Sequence, residues 1–224
     1  MLLEVIEFFP GEYIHIGGDE APKDRWRKCG KCQERIRAEG LEDEEELQKW
    51  FIERIGRFLA EHYRKIIGWD EIIEGGIPRD ATVMSWRGTE GGIEAAMAGH
   101  DAIMTPRSYT YINLRYSDSD RPESSWHGSL PFPRVYEFEP VPENLPAETA
   151  EHIIGVQGCL WGEFIPDPER LQYLAFPRAL AVAETAWSLP ERKDWKNFLD
   201  RVDTHTGRLD VMGANYHHGP WPSE

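Results

Sequence analysis

The sequence predicts an α/β fold of the (β/α)8 TIM-barrel type, holding about five strands that correspond to the second half of such a barrel (strands 4–8). Three observations carry this reading. First, five short apolar runs, at 13–16, 65–68, 82–85, 102–104 and 153–156, are separated by stretches with helical character. Near-continuous apolar runs of this length suit strands buried on both faces of a parallel sheet. Second, the runs end alike. Tyr13-Ile14-His15-Ile16 enters Gly-Gly-Asp-Glu, Lys65-Ile66-Ile67-Gly68 enters Trp-Asp-Glu, and Thr82-Val83-Met84-Ser85 enters Trp-Arg-Gly. Ala102-Ile103-Met104 leads into a Tyr-rich loop, and Ile153-Ile154-Gly155-Val156 leads through Gln-Gly-Cys-Leu into Trp-Gly-Glu. Polar and aromatic groups at the C-terminal ends of strands are where such a barrel builds its site. Third, the chain has 224 residues, fewer than the roughly 250 and eight strands of a complete barrel.

Taken in order, Met1–Pro10 reads as the tail of an amphipathic helix, with neither the basic start nor the small-residue cleavage site of a signal peptide. In 41–62, Leu47, Phe51, Ile55, Phe58 and Leu59 share one face behind an acidic first turn from Glu42 to Glu46, which favours a helix. Residues 89–98 form a short helix after Gly88. The stretch 105–146 is a long loop with five prolines between Pro131 and Pro146. Residues 169–187 are helical in two pieces, because Pro177 cannot continue a helix through its own position. A last helix over 191–209 closes near Gly213. The whole, 1–224, reads as one partial catalytic barrel domain with C-terminal helices at about 169–210.

Apolar residues at 40% and charged residues at 29% allow a buried core. Forty acidic against 25 basic residues give a net charge of −15, which argues against a nucleic-acid backbone or an anionic membrane as partner. No apolar run is long enough to span a bilayer. Three cysteines are too few for a disulfide framework. Cys29 and Cys32 have the spacing of half a zinc site, but no second pair follows, so a local disulfide or free thiols is the reading. Cys159 reads as a buried thiol. No metal site and no cofactor are expected.

The chemistry centres on Asp19-Glu20. Adjacent carboxylates at a strand exit can serve one site if the chain bends, and Gly17 and Gly18 allow that bend. Like charges so near push their pKa values apart, separating an acid from an anion; a solvated acidic turn is the alternative for the bare pair. Trp69, Trp86 and Trp161 stand at three strand ends, and aromatic walls with a few polar groups suit a sugar ring. Glu163, two residues beyond Trp161, points to the same side on an extended backbone. Tyr109, Tyr111 and Asn113 add hydroxyl and amide groups. His15 is either a core residue or a support to the site. Asp70 and Glu71 serve equally as helix-start acids and stay outside the site set. Trp187, Trp195 and Trp221 read as helix packing or surface aromatics.

In their order, HIGGDE, GWDEI, MSWRG, the tripeptide Tyr111-Ile112-Asn113, LWGE and the PRALAVAETAW helix resemble the family 20 glycoside hydrolases, the β-N-acetylhexosaminidases, from about Tyr13 to Tyr216. The resemblance implies a substrate-assisted reaction in which the 2-acetamido oxygen attacks the anomeric carbon to form an oxazolinium ion. It implies Glu20 as general acid and then base, Asp19 as the group orienting the acetamido N–H, and Tyr111 as donor to the acetamido oxygen. Trp69, Trp86 and Trp161 would wall the sugar, and Asn113 and Glu163 would bind hydroxyls. The implied partners are glycans bearing N-acetylhexosamine. Asn113 stands where family members often carry Asp, which replaces a charge by an amide. The family's barrel begins well before HIGGDE, so the early strands are expected from another chain, from self-association or from a preceding segment. A carbohydrate-binding remnant without turnover, and a retaining glycosidase with a covalent intermediate, are the two other readings.

Overall fold

Aliphatic and β-branched residues form the strands and amphipathic stretches the helices between them, in a computed structural model that describes residues 1–120, 128–219 and 221. Residues 121–127, within the long loop read from the sequence, lie outside the described residues. The order is α1 (Leu2–Phe8), β1 (Tyr13–His15), α2 (Asp24–Lys28), α3 (Gly30–Glu39), α4 (Glu44–Glu61), β2 (Lys65–Trp69), β3 (Thr82–Ser85), α5 (Glu90–Met97) and β4 (Ala102–Met104). There follow α6 (Arg107–Thr110), α7 (Phe132–Tyr136), α8 (Ala147–Ala150), β5 (Ile153–Val156), α9 (Pro168–Ala175), α10 (Arg178–Trp187) and α11 (Trp195–Met212). The five strands form one sheet in the order β1-β2-β3-β4-β5. β1 and β2 run parallel with Ile14 opposite Ile66, and β2 and β3 run parallel with Trp69 opposite Met84. Consecutive parallel neighbours set the exits of β1, β2 and β3 side by side, which is the arrangement a barrel-type site requires. All five strands fall where the sequence places them.

The chain divides into two units, residues 1–103 with 146–154, and residues 104–145 with 155–224. In the first, Ile14, Ile66 and Val83 from the strands pack with Ile52 and Leu59 of α4, Ile72, Ala95 and Ala102. Asp43 caps α4, its Oδ1 accepting from the N–H groups of Glu45 and Glu46 at 2.9 and 3.0 Å. Of the stripe expected on α4, Leu47 and Leu59 are buried and Ile55 and Phe58 pack against the core, but Phe51 is exposed, whereas Gln48 and Ile52 are buried. A buried glutamine is invisible to hydrophobic periodicity, and Gln48 sits in the stripe because its amide serves the β1 exit described below. Helices α2 and α3 were not anticipated from the sequence.

The second unit corrects the reading of 105–146 as a loop alone, since α6 and α7 lie within it. Phe132 and Tyr136 of α7 are buried against the half-buried Trp195 and the buried Phe198 of α11. Ring centroids are 5.4 Å apart for Phe132–Trp195 and 4.9 Å for Tyr136–Phe198, within the range of favourable aromatic pairs. Prolines here set the extended entry to α7 and then its first turn, rather than excluding structure. Trp195 therefore packs as expected, while Trp187 is exposed.

Helices α10 and α11 are tied by Arg201, whose two terminal nitrogens donate to the two oxygens of Glu184 at 2.8 and 2.6 Å. Arg201 thereby holds the Glu184 carboxyl below its ordinary range. A carboxylate whose folded pKa is lowered stabilises the fold above its unfolded pKa, and this is lost as pH falls through the folded value. The melting-temperature gap between the parent protein and Glu184→Gln should be widest at neutral pH and shrink on acidification.

Candidate active site

The β1 exit carries the paired acids. After His15 the chain reverses through three left-handed residues, Gly17 at φ 75°, Gly18 at φ 104° and Glu20 at φ 47°. Three hydrogen bonds pin this turn. The Gly17 N–H donates to His15 Nδ1 at 3.1 Å, and the Trp69 N–H donates to the Gly17 carbonyl at 2.9 Å. Gln48 Nε2 donates to the Gly18 carbonyl at 2.8 Å. Gln48 in turn accepts from the buried Lys23 ammonium, which pairs with Glu45 at 3.1 Å. Asp19 and Glu20 are both exposed at the end of this turn. His15 lies 4.8 Å from the Trp69 ring, centroid to centroid. Desolvation pulls its imidazole below the ordinary value, with Asp19 opposing. A neutral ring is what its acceptor role toward Gly17 demands.

Gly18 also shows why no side chain is tolerated there. A Cβ would lie 2.4 Å from Ile72 Cγ2, at a φ that L-residues rarely adopt. Gly18→Ala should destabilise the first unit by about 1–3 kcal/mol through backbone strain, with overpacking against Ile72 in addition. Denaturant unfolding would read this as a lower midpoint with an unchanged slope.

At the β2 exit, Trp69 is buried, and Asp70 and Glu71 follow on the 3₁₀ turn Asp70–Ile73, 1% and 8% exposed. At the β3 exit, the half-buried Trp86 donates its Nε1–H to Glu71 Oε2 at 2.9 Å. Asp70 Oδ2 accepts from the backbone N–H groups of Trp86 and Arg87 at 3.2 and 3.3 Å. Arg87 Nε donates to Asp70 Oδ1 at 2.8 Å and its Nη1 to Glu74 at 2.7 Å. Burial raises the Glu71 carboxyl above its ordinary value, opposed by the Trp86 hydrogen bond and by Arg87. Asp70 and Glu71 thus belong to the architecture of this site, although the sequence left them aside. The available signal was their position directly after a strand-end Trp, matching Asp19-Glu20 after β1.

In the second unit, Tyr111 and Asn113 are buried. The carbonyl between them, on Ile112, accepts from Arg178 Nη2 at 2.7 Å. Tyr111 forms a parallel bridge with Cys159, which brings it beside the β5 exit, and its ring centroid lies 6.0 Å from that of Trp161. The extended backbone expected from Trp161 to Glu163 is instead the 3₁₀ turn Gly162–Phe164, so strand alternation does not fix the direction of Glu163, which is exposed. The Tyr109 hydroxyl accepts from Arg134 Nη2 at 2.5 Å, and its ring lies under that guanidinium. Cys29, Cys32 and Cys159 are free thiols; burial pushes the Cys159 thiol up to about 11.

Parallel strands in consecutive order, with acids and indoles delivered at their exits, define a barrel-type catalytic domain. The chain belongs to glycosyl hydrolase family 20, whose catalytic-domain model matches residues 1–190. It is 47% identical over 215 residues to a beta-hexosaminidase of Porphyromonas gingivalis, covering 96% of this chain and 28% of that protein. It is 30% identical over 223 residues to a beta-N-acetylhexosaminidase of Cellulomonas fimi, covering 95% of this chain and 40% of that protein. It superposes on a family 20 exo-β-N-acetylglucosaminidase of Vibrio harveyi, crystallised with N-acetylglucosamine, with a TM-score of 0.88 at 32% identity, covering 99% of this chain and 35% of that one. The chain therefore spans about a third of the length of the relatives it matches.

Proposed function

We propose that this chain supplies the acid–base and acetamido-binding part of a β-N-acetylhexosaminidase site that removes terminal β-linked N-acetylglucosamine or N-acetylgalactosamine from glycans. The observation that carries the reading is the Asp19-Glu20 pair on a glycine turn hydrogen-bonded to the strand that ends in Trp69. Glu20 protonates the departing glycosidic oxygen and then takes a proton from water. Asp19 holds the acetamido N–H and balances the positive charge that develops as the acetamido oxygen closes on the anomeric carbon. That attack is intramolecular, so proximity replaces an enzymic nucleophile. Tyr111 donates to the acetamido oxygen, Trp69, Trp86 and Trp161 line the sugar, and Asn113 and Glu163 take hydroxyls. None of these steps calls for a metal or cofactor.

The test is turnover of a chromogenic N-acetyl-β-glucosaminide, with two probes of mechanism. Competitive inhibition by a thiazoline analogue of the oxazolinium ion, without labelling by a 2-fluoro sugar, supports the proposal. A fluorosugar adduct on a carboxylate would replace it with a covalent mechanism. Thiazoline binding without turnover would make the chain a carbohydrate-binding module.

A further inference from the structure

The Asp70-Glu71 pair has no part in that mechanism, yet both acids are buried and both are spent on one neighbour, the segment Trp86-Arg87. We propose that Glu71 is a positioning residue that fixes the Trp86 indole, so that this ring meets a ligand with its apolar surface and not with its N–H. The proposal rests on the reading of Trp86 as a wall of the sugar site.

An indole has a single hydrogen-bond donor. In this structure that donor is directed at Glu71 Oε2 at 2.9 Å, and Glu71 is 8% exposed. A sugar hydroxyl would have to displace a buried carboxylate to reach it. Asp70 fixes the other end of the same residue by accepting from the Trp86 backbone N–H, while Arg87 balances the Asp70 charge from outside. Side chain and main chain of Trp86 are thus held by consecutive acids on one 3₁₀ turn. Gly91 of α5 leaves the room that Asp70 occupies, since a Cβ there would lie 2.8 Å from Asp70 Cβ. Such clamping selects for ligand groups without a hydrogen-bond acceptor at this wall, as a methyl group or the apolar face of a pyranose provides.

The experiment uses the full chain, ¹⁵N-labelled, with the Trp86 Nε1–H resonance assigned by its absence in Trp86→Phe. In the parent protein this indole proton should exchange with solvent at least about tenfold more slowly than that of the exposed Trp187. Glu71→Gln retains a carbonyl acceptor and should keep both the resonance position and the slow exchange. Glu71→Leu should move the resonance and bring exchange to the exposed rate. With a chromogenic N-acetyl-β-glucosaminide, Glu71→Leu should raise KM about tenfold at nearly constant kcat, the signature of lost binding shared by ground state and transition state, and Glu71→Gln should change it less than twofold. Exchange in the parent protein as fast as that of Trp187 overturns the proposal without any variant, as does an unchanged resonance in Glu71→Leu. A protected indole that follows the Gln and Leu pattern, in a protein that turns over no substrate, sustains the clamp while removing the hydrolase reading.

Discussion

Glu20→Gln should lower kcat on a chromogenic N-acetyl-β-glucosaminide by about 10²–10⁴-fold, the range a positioned proton donor contributes. The substitution is nearly isosteric and removes the carboxyl group that gives a proton and then takes one. Because Glu20 sits at the end of a turn held by the Gly17 and Gly18 carbonyls, the variant should fold as the parent does. The deficit should depend on the aglycone. A nitrophenolate leaves with little protonation, so its loss should be smaller than that of an alkyl or sugar leaving group, which needs the proton in the transition state. Asp19→Asn should behave differently, slowing both kinds of substrate to a similar degree, since it acts on charge at the sugar rather than on the leaving oxygen. Turnover that survives Glu20→Gln on a poor leaving group would remove Glu20 from the role of acid.

The second large effect concerns stability. Arg178 is fully buried at the start of α10. Its Nη1 donates to the Leu130 carbonyl at 3.0 Å, its Nη2 to Ile112 at 2.7 Å and Leu174 at 2.8 Å, and its Nε to Leu174 at 3.1 Å. The guanidinium carbon lies 3.8 Å from the Tyr116 ring centroid. Burial raises the Tyr116 hydroxyl to about 12, with Arg178 opposing that shift. Arg178→Met fills much of the volume and strands carbonyls from three separate segments, at about 1–3 kcal/mol for each left unsatisfied. Arg178→Lys should rescue little, since an ammonium cannot reproduce the planar fork that reaches all three segments. Thermal and denaturant unfolding would check both variants. Normal stability in Arg178→Met would show that water satisfies those carbonyls. Because Ile112 lies between Tyr111 and Asn113, the same substitutions should also blur the placement of those two side chains.

The sequence shows the strands and the longer helices because both write their burial into apolar spacing. Ile66, Ile67 and Val83 need no tertiary knowledge to be placed, and the Gly213 cap of α11 is an equally local signal, although that helix starts at Trp195 behind the Asp194 cap and not at 191. What stayed hidden is polar burial. Gln48 reaches the Gly18 carbonyl across 30 positions, and Arg178 reaches Ile112 across 66. Neither tie leaves a periodic trace, so the sequence misses Gln48 on the α4 face and shows Arg178 only as part of a helix motif. Asp70 and Glu71 were ambiguous for a related reason. An acid after a strand caps a helix or clamps a neighbour, and only the folded chain brings Trp86 beside it.

The sheet order also bears on handling the protein. Among the described residues, β1 and β5 are the outer strands of the sheet order. A strand that lacks a further partner invites copies to pair with it. The surplus of acidic residues, 15 beyond the basic ones, supplies mutual repulsion that keeps molecules apart in dilute neutral buffer. Titrating that surplus away, or screening it with salt, weakens that repulsion, so this chain handled by itself belongs at neutral pH and low ionic strength.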